Sequence, residues 1–379
     1  MRANVFTDAG LGRHAGRFVW LSIDAERPQN SAFVERFPAE AYPTLLVIDP
    51  AQEQPAFRWL GSATVPQLER MLSDAGRAVR GGTLGLEARL ASADRLFAGG
   101  DAQKASGALE ALLRDAPPEW PSRGRAVETA LYSLQKLDRN EECARLAGSE
   151  LGRLGQTPSY ANSAAAGLYC ALALPKDAQG RAAAVASFEA AARDALAKQI
   201  AMAADDRSGI YEALVEARDD AGDEKGGAGV AERWAGYLEA EAAKAGTPEQ
   251  RAVYDSHRLS AYLRLGHPER AIPMLQQSER DLPGDYNPPA RLCAAYRASK
   301  RPEDALSACD RALAKAYGPR KLRVYSDRAE ALIALGKPEL ARASLEEALA
   351  YSDQLAEAQR SKRLVEGLKK RLSSLPPAP

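Results

Sequence analysis

The chain has 379 residues, and its 51 Lys and Arg residues balance 51 Asp and Glu residues, so the formal net charge at pH 7 is zero. A neutral chain without a long run of one charge sign is not suited to electrostatic capture of nucleic acid or of an anionic membrane. No run of apolar residues is long enough to predict a membrane span, and the start, MRANVFTDAG, lacks the pattern of a signal peptide. By default, the sequence therefore predicts a cytoplasmic protein.

Five segments of the first eighty residues predict secondary structure. Runs of β-branched and aromatic residues indicate strands, and apolar residues on one helical face indicate helices. Ser31 is a suitable helix cap, and the turn PAQEQP suits a hairpin between two of the strands. In chain order, the segments are a strand FVWLSID (18–24), a helix SAFVERF (31–37), a strand TLLVID (44–49), a strand FRWL (57–60) and a helix VPQLERMLSDAGRAV (65–79).

Taken in this order, the segments resemble the thioredoxin-like fold from its first helix onward. In that family, the proline before the third core strand is cis and lies against the two active-site cysteines. Tyr42, Pro43 and Thr44 match that position. The resemblance therefore implies a cis-proline loop at these three residues, in a small α/β domain that covers about a fifth of the chain.

The cysteine pair of that family is missing from this chain. Thioredoxin-like proteins carry a CxxC motif at the N-terminus of the first helix, where the helix dipole lowers the thiol pKa. Here the sequence begins within the matching helix, and its two apolar strands would leave a long apolar sheet edge, which favours aggregation. We therefore expect Met1 to be internal to a longer natural protein. The alternative function that follows is a thiol–disulfide oxidoreductase with an upstream CxxC, which could also be exported to the periplasm.

Helical periodicity recurs from Leu86 onward, with an internal repeat. The segments YLRLGHPERAIPML, YRASKRPEDALSAC and LIALGKPELARASL align, and their alanines Ala271, Ala305 and Ala341 are 34 and 36 residues apart. A Pro-Glu pair stands before each alanine, as is typical of a helix start. The pattern resembles the tetratricopeptide repeat, a helix–turn–helix unit of about 34 residues.

The predicted fold class is mainly α. A truncated thioredoxin-like domain (1–80) is followed by a linker (81–85), a tetratricopeptide-like solenoid (86–372) and a disordered tail (373–379). We expect about seven helical hairpins and a polar last helix, because the end of a solenoid has no neighbouring repeat to pack against.

The sequence predicts no catalytic, cofactor or metal site. The three histidines have no ligand-spaced partners, no phosphate-binding or nucleophile motif occurs, and Asp205-Asp206 and Asp219-Asp220 are interpreted as solvated acids. The four cysteines are widely spaced, so we interpret them as free, buried packing residues. A redox pair of Cys293 and Cys309, which would lie on facing helices of one hairpin, is the alternative.

The remaining candidate is the concave groove formed by the first helices of successive repeats. We interpret Arg264 and Arg297 as its polar anchors, with a solvated helix face as the alternative for both. The family pattern implies that ten residues face the groove: Ser256, Ser260, Leu263, Arg264, Asn287, Ala294, Arg297, Ser326, Glu330 and Ile333. The predicted function is that of a non-catalytic scaffold that binds a protein or peptide through this face.

Overall fold

We analysed a computed structural model of the chain, which describes residues 1, 4–39, 42–79 and 85–376. These residues contain eighteen α-helices, four short 3₁₀ helices and one sheet of two strands, so the mainly α fold class is confirmed. The helices are α1 (Ser31–Arg36), α2 (Val65–Val79), α3 (Leu86–Ala98), α4 (Ala102–Asp115), α5 (Arg123–Lys136), α6 (Asn140–Leu154), α7 (Pro158–Leu172), α8 (Arg181–Ala197), α9 (Ala204–Asp220), α10 (Glu224–Ala243), α11 (Pro248–Ala252), α12 (Asp255–Arg264), α13 (Ala271–Asp281), α14 (Asn287–Ala298), α15 (Pro302–Leu313), α16 (Arg320–Ala334), α17 (Pro338–Gln354) and α18 (Lys362–Ser374). The strands are β1 (Thr44–Asp49) and β2 (Gln54–Leu60), and the 3₁₀ helices are Ala9–His14, Pro28–Asn30, Pro268–Arg270 and Glu357–Gln359.

Among the described helices, contacts show six hairpins, α3–α4, α5–α6, α7–α8, α12–α13, α14–α15 and α16–α17, and α18 packs on α17 as a last, amphipathic helix. Residues within the first turn of each helix determine where these helices start. Pro302 and Pro338 occupy the first turns of α15 and α17, while Pro268 opens the 3₁₀ helix that leads into α13. Proline suits this place because its missing N–H would have no partner there anyway. The repeat alanines Ala271, Ala305 and Ala341 are all fully buried, because a methyl group lets neighbouring helices approach closely.

The four cysteines form two disulfides, so the interpretation as free thiols is wrong. Cys143 of α6 pairs with Cys170 of α7, and Cys293 of α14 pairs with Cys309 of α15. All four are buried, as predicted. The first bond joins successive hairpins, a contact that depends on how the hairpins pack. The second joins the two helices of one hairpin, and it is the pair that the sequence analysis gave as the alternative.

The chain divides into two compact units. Unit 1 contains Met1–Arg17 and Pro38–Val230, and unit 2 contains Phe18–Phe37 and Ala231–Pro379. The boundary at Val230 falls within α10. The predicted linker 81–85 lies outside the described residues except for Gly85, which precedes α3, so the predicted domain boundaries remain a prediction. In the predicted tail, Ser373 and Ser374 belong to α18, and residues 377–379 lie outside the described part.

The first eighty residues depart from the predicted domain. β1 and β2 form the predicted antiparallel hairpin, with Thr44 opposite Leu60, and α2 follows with the predicted apolar face buried at Leu68, Met71, Leu72 and Ala75. The predicted strand FVWLSID, however, belongs to no strand or helix in the described chain, and its Val19 and Leu21 are 87% and 74% exposed. A strand requires a neighbour for its backbone hydrogen bonds. A thioredoxin-like domain is therefore not shown, although the Tyr42–Pro43 bond is cis.

Candidate functional site

A cavity of about 630 Å³ opens on unit 2, on the face formed by the first helices of its hairpins. We call the side formed by α12, α14 and α16 the first-helix face of unit 2. Consecutive first helices pack side by side, α12 on α14 and α14 on α16. The cavity is lined by Leu263, Ala294, Arg297, Ala298, Lys300, Pro302, Glu330, Ala331 and Ala334.

Alanine side chains make up much of the cavity wall. Ala294 and Ala298 are one turn apart on α14, and Ala331 and Ala334 are one turn apart on α16. Because a methyl group projects little from a helix, the two alanine pairs leave open space between the helices. Leu263 stands at the cavity with 41% of its surface exposed. The wall can therefore take an apolar side chain from outside.

Arg297 lies in the cavity wall within a charge network. Its guanidinium pairs with Asp327 and Glu330 of α16, and Arg371 of α18 pairs with the same Glu330. Arg371 also donates to the Ser326 hydroxyl at 2.8 Å. Two positive charges therefore meet two negative charges.

Burial acts on both sides of the Arg297–Asp327 pair. Removal from water lowers the pKa of Arg297, and the attraction of Asp327 opposes this. Removal from water also raises the pKa of Asp327, and Arg297 and Arg371 oppose this in turn. Neutralisation by neighbours is what allows a charge to remain in a partly buried wall.

Lys300 adds a positive charge that the network does not balance. It is exposed at the cavity, and no ion-pair partner is found for it in the part of the chain that the structure describes. Its backbone has φ 56°, in the left-handed region, where Gly266 and Gly336 stand at the matching turns of the neighbouring hairpins. The cavity therefore combines a small apolar wall with an excess of positive charge.

Four of the ten predicted groove residues meet in this cavity: Leu263, Ala294, Arg297 and Glu330. Arg264 is exposed beside Leu263 but is not part of the lining, so its role as an anchor stays a prediction. The sequence interpretation missed Lys300, although the 34-residue register places it with Gly266. It also missed Arg371, because nothing in the sequence of α18 indicates which hairpin it packs on.

The first-helix face of unit 1, formed by α5, α7 and α9, carries part of the chain's own hairpin. Arg125 of α5 donates to the Arg58 main-chain carbonyl of β2 at 3.3 Å, and its guanidinium lies 4.3 Å from the centre of the Phe57 ring. The Ser62 hydroxyl, just after β2, donates to Asp205 of α9 at 2.6 Å. This face therefore already holds an extended strand of polypeptide.

Asp206, interpreted from the sequence as solvated, is instead largely withdrawn from water. Burial, together with the negative charges of Glu128 on α5 and Asp205, raises its pKa to about 7. Burial also raises the pKa of Glu128, against hydrogen bonds from Ser159 and Asn162 of α7. These carboxyl groups meet on the first-helix face of unit 1.

In the predicted cis-proline loop, Tyr42 is 62% exposed and Thr44 begins β1. The Pro43 carbonyl accepts a hydrogen bond from the Gly61 N–H at 2.9 Å. This bond extends the β1–β2 pairing by one residue at the end of the hairpin away from its turn. No cysteine precedes Cys143 in the sequence, so the link between this loop and thiol chemistry remains a prediction. Among the described residues, no cluster of His, Cys, Asp and Glu is arranged to bind a metal ion, and no helix has the length and apolar character of a membrane span.

Comparison with solved structures finds tetratricopeptide repeat proteins. A tetratricopeptide repeat protein from Parabacteroides merdae is 11% identical, covers 76% of this chain and 99% of its own, and has a TM-score of 0.48. The TPR2AB domain of yeast Sti1 in complex with pHSP90 is 14% identical over 76% of this chain and 98% of its own, with a TM-score of 0.30. A thermophilic TPR protein of Thermus thermophilus is 14% identical with the same coverage and a TM-score of 0.26. No protein-family model matches the sequence, and no curated protein matches it. At these identities and TM-scores, we draw no functional conclusion from the likeness.

Proposed function

We propose that this protein is a non-catalytic interaction scaffold that binds an extended segment of a partner protein in the cavity of unit 2. The observation that carries the proposal is the open cavity of about 630 Å³ on the first-helix face. Cavities that bind ligands combine apolar walls with a few polar groups that fix orientation. Here the alanines of α14 and α16 supply the wall, and Lys300 and Arg297 supply the polar groups.

The chemistry of the cavity favours an apolar side chain next to a carboxylate. Leu263 and the alanine pairs contact the apolar side chain, and the unpaired charge of Lys300 attracts the carboxylate. Arg297 contributes less to attraction because Asp327 and Glu330 already neutralise it.

Unit 1 supports the proposal by example. On its first-helix face, Arg125 binds a main-chain carbonyl of β2 and Asp205 accepts from Ser62. A face built in the same way thus holds an extended chain by contacts with backbone and with one polar side chain. Among the described residues, no such strand lies on the first-helix face of unit 2, where the cavity is open.

Photo-crosslinking tests the site. A benzophenone amino acid replaces Leu263 in the full chain, in cells, and the matched control replaces Leu340 of α17, which is 53% exposed on a second helix. We expect a benzophenone at position 263 to capture a protein that a benzophenone at position 340 does not capture. We expect Ala334→Trp, at an exposed alanine of the cavity wall, to remove that product by filling the cavity. Capture of the same proteins from both positions, or an unchanged product in Ala334→Trp, would contradict the proposal.

Charge variants then test the polar groups. With the captured partner purified, Lys300→Glu should weaken binding by about tenfold, equivalent to about 1.4 kcal/mol. Exposed Lys337, at the start of α17, offers Lys337→Glu as the control with the same change in charge. Charge reversal at both Arg264 and Arg297 without loss of affinity would remove these two arginines from the site.

The two buried disulfides support a further part of the proposal, that the protein works in an oxidising compartment. Disulfides persist in such compartments and are rare where thiols are kept reduced. Acid quenching of cells followed by alkylation in denaturant, with and without reductant, measures this. We expect labelling of Cys143, Cys170, Cys293 and Cys309 only after reduction, and labelling of all four without reductant would contradict it.

A further inference from the structure

Residues Asp24–Arg27, which we call the strap, lie on a second surface of unit 2. This surface is formed by the residues before α14, the turn before α16 and the 3₁₀ helix Glu357–Gln359. It does not include the lining of the cavity described above.

The charged side chains of the strap each have a partner on this surface. The Tyr317 hydroxyl donates to Asp24 at 2.7 Å, and the Arg27 guanidinium lies 3.8 Å from the centre of the Tyr317 ring. Glu26 pairs with Arg320 at 2.7 Å and accepts from the Tyr286 hydroxyl at 3.0 Å. The surface thus distinguishes a carboxylate, a second carboxylate two residues later, and a guanidinium after that.

The surface also holds the strap by its main chain. Gln359, only 6% exposed, donates from its side-chain amide to the carbonyls of Ala25 at 2.7 Å and Arg27 at 3.1 Å. At Gly318, a Cβ atom would lie 2.6 Å from the Glu26 carbonyl oxygen, so only glycine lets the two backbones approach. Contacts with alternating backbone groups and specific side chains are how proteins recognise extended peptides.

The strap does not fully satisfy this surface. The Gln359 Oε1 atom is buried and has no hydrogen-bond partner among the described residues. The strap itself buries no large apolar side chain, and the residues before it, including Val19 and Leu21, are exposed. The Arg320 and Glu26 side chains are 55% and 22% exposed, and partly exposed ion pairs contribute little to stability, so a competing segment can replace these contacts of the strap.

From these contacts we propose that the surface formed by Tyr286, Tyr317, Gly318, Arg320 and Gln359 is a recognition site for an extended partner segment of the pattern Asp-X-Glu-Arg. The strap is its resident occupant and competes with the partner. Because the strap is covalently attached, its effective concentration at the site is high, on the order of millimolar for a short tether. A free peptide therefore binds the unmodified chain weakly and binds a chain with a released strap well.

The test uses the full chain and a fluorescent peptide with the sequence of residues 22–30, SIDAERPQN. A release variant carries Asp24→Ala, Glu26→Ala and Arg27→Ala, which leaves the proposed site unchanged. Fluorescence anisotropy should show the peptide bound at least tenfold more tightly by the release variant than by the unmodified chain. Equal affinity for the two proteins would overturn the proposal.

A charge exchange separates recognition from a purely structural role. Adding Arg320→Glu to the release variant should weaken binding at least tenfold, and a peptide with Lys in place of Glu26 should restore it. The matched control is Arg323→Glu, the same charge change at an exposed position of the same helix, which should leave the affinity unchanged. Failure of the exchanged peptide to restore binding would refute the assigned contact.

A second measurement does not depend on any variant folding correctly. In the unmodified chain, excess unlabelled peptide should accelerate hydrogen exchange at residues 24–27, and a scrambled peptide should not. An unchanged exchange rate would overturn the proposal. So would a dimer of the unmodified chain that Glu26→Lys dissociates, because the site would then belong to the strap of a second copy.

Discussion

The first-helix faces of the two units are built alike and differ in what lies on them. In unit 1, β2 and the turn after it lie on α5 and α9, through Arg125 and the Ser62–Asp205 hydrogen bond. In unit 2, the corresponding face carries the open cavity between α12, α14 and α16. The difference shows that such a face holds an extended chain in unit 1, and under the proposed function the cavity of unit 2 receives a segment of another protein in the same way.

Charged side-chain pairs are also more buried in unit 1 than in unit 2. Arg123 and Glu150 of unit 1 pair at 2.7 Å with side chains only 5% and 4% exposed, and Arg123 also donates to three carbonyls before α5. In unit 2, Arg297 and Glu330 are 26% and 29% exposed. Removing one partner of a buried ion pair leaves an uncompensated charge away from water, which costs much stability. Removing one member of a partly exposed network costs less, because water and the remaining partners still solvate the charge.

The largest expected effect tests this difference in charge burial. Glu150→Ala leaves the Arg123 guanidinium buried without its carboxylate, so we expect the free energy of unfolding to fall by about 3–5 kcal/mol. Glu330→Ala in unit 2 leaves Arg297 paired with Asp327, and there we expect a loss of about 1 kcal/mol or less. Urea unfolding of both variants measures this, and equal losses would break the comparison.

The next effect concerns pH. Because the pKa of Asp206 is about 7 in the folded protein and 3.8 without perturbation, the folded state retains the proton more strongly. This contribution to stability is complete below about pH 4 and is lost as pH rises to about 7, a change of at most about 4 kcal/mol. Asp206→Asn should therefore stabilise the protein at pH 8 and flatten the pH profile of stability between about pH 4 and pH 7. The exposed Asp177 provides the control Asp177→Asn, and a profile equal to that control would show that Asp206 does not titrate in this range.

A smaller effect tests the strand that lies on unit 1. Ser62→Ala removes the donor to Asp205, and hydrogen bonds to charged groups contribute about 1.5–3 kcal/mol. We expect a loss of this size together with faster hydrogen exchange in β2. Unchanged exchange would mean that the hairpin does not depend on α9.

The smallest expected effect concerns the backbone of Lys300 at the unit 2 cavity. Lys300 has φ 56° where the neighbouring hairpins use glycine, and a side chain in that region carries a strain of about 1–2 kcal/mol. Lys300→Gly should therefore stabilise the protein by about 0.5–1 kcal/mol, after the entropic cost of glycine. Lys300→Ala keeps the strain and removes the charge, so thermal unfolding of the two variants separates the backbone effect from the charge effect.

The sequence predicts the helical hairpins well because their determinants are local. Pro302, Pro338 and the repeat alanines mark starts and contacts within one or two turns, and the positions match the structure. The strand predicted at 18–24 failed because its formation depends on a partner strand elsewhere in the chain. The β-branched and aromatic residues of FVWLSID favour a strand, but a strand forms only where another strand is available to pair with it.

The candidate site was predictable in part for the same reason. The repeat register places Leu263, Ala294, Arg297 and Glu330 on one face, and they do line one cavity. The repeat register does not predict which charges pair in the network. Arg371, which pairs with Glu330, comes from α18, and no repeat pattern specifies how that helix packs. The disulfide between Cys143 and Cys170 joins successive hairpins, a contact that depends on how the hairpins stack.

The order in which the chain enters its two units has a consequence for synthesis. Residues 18–37 belong to unit 2, but the rest of that unit begins only at Ala231. At typical translation rates, the intervening residues take about 10–40 s to emerge from a ribosome. During this interval Val34, buried in the folded protein, and the strap residues Asp24 and Glu26 have no unit 2 partners to bind. We therefore expect the nascent chain to present this segment to chaperones until α14, α16 and the 3₁₀ helix Glu357–Gln359 have been made.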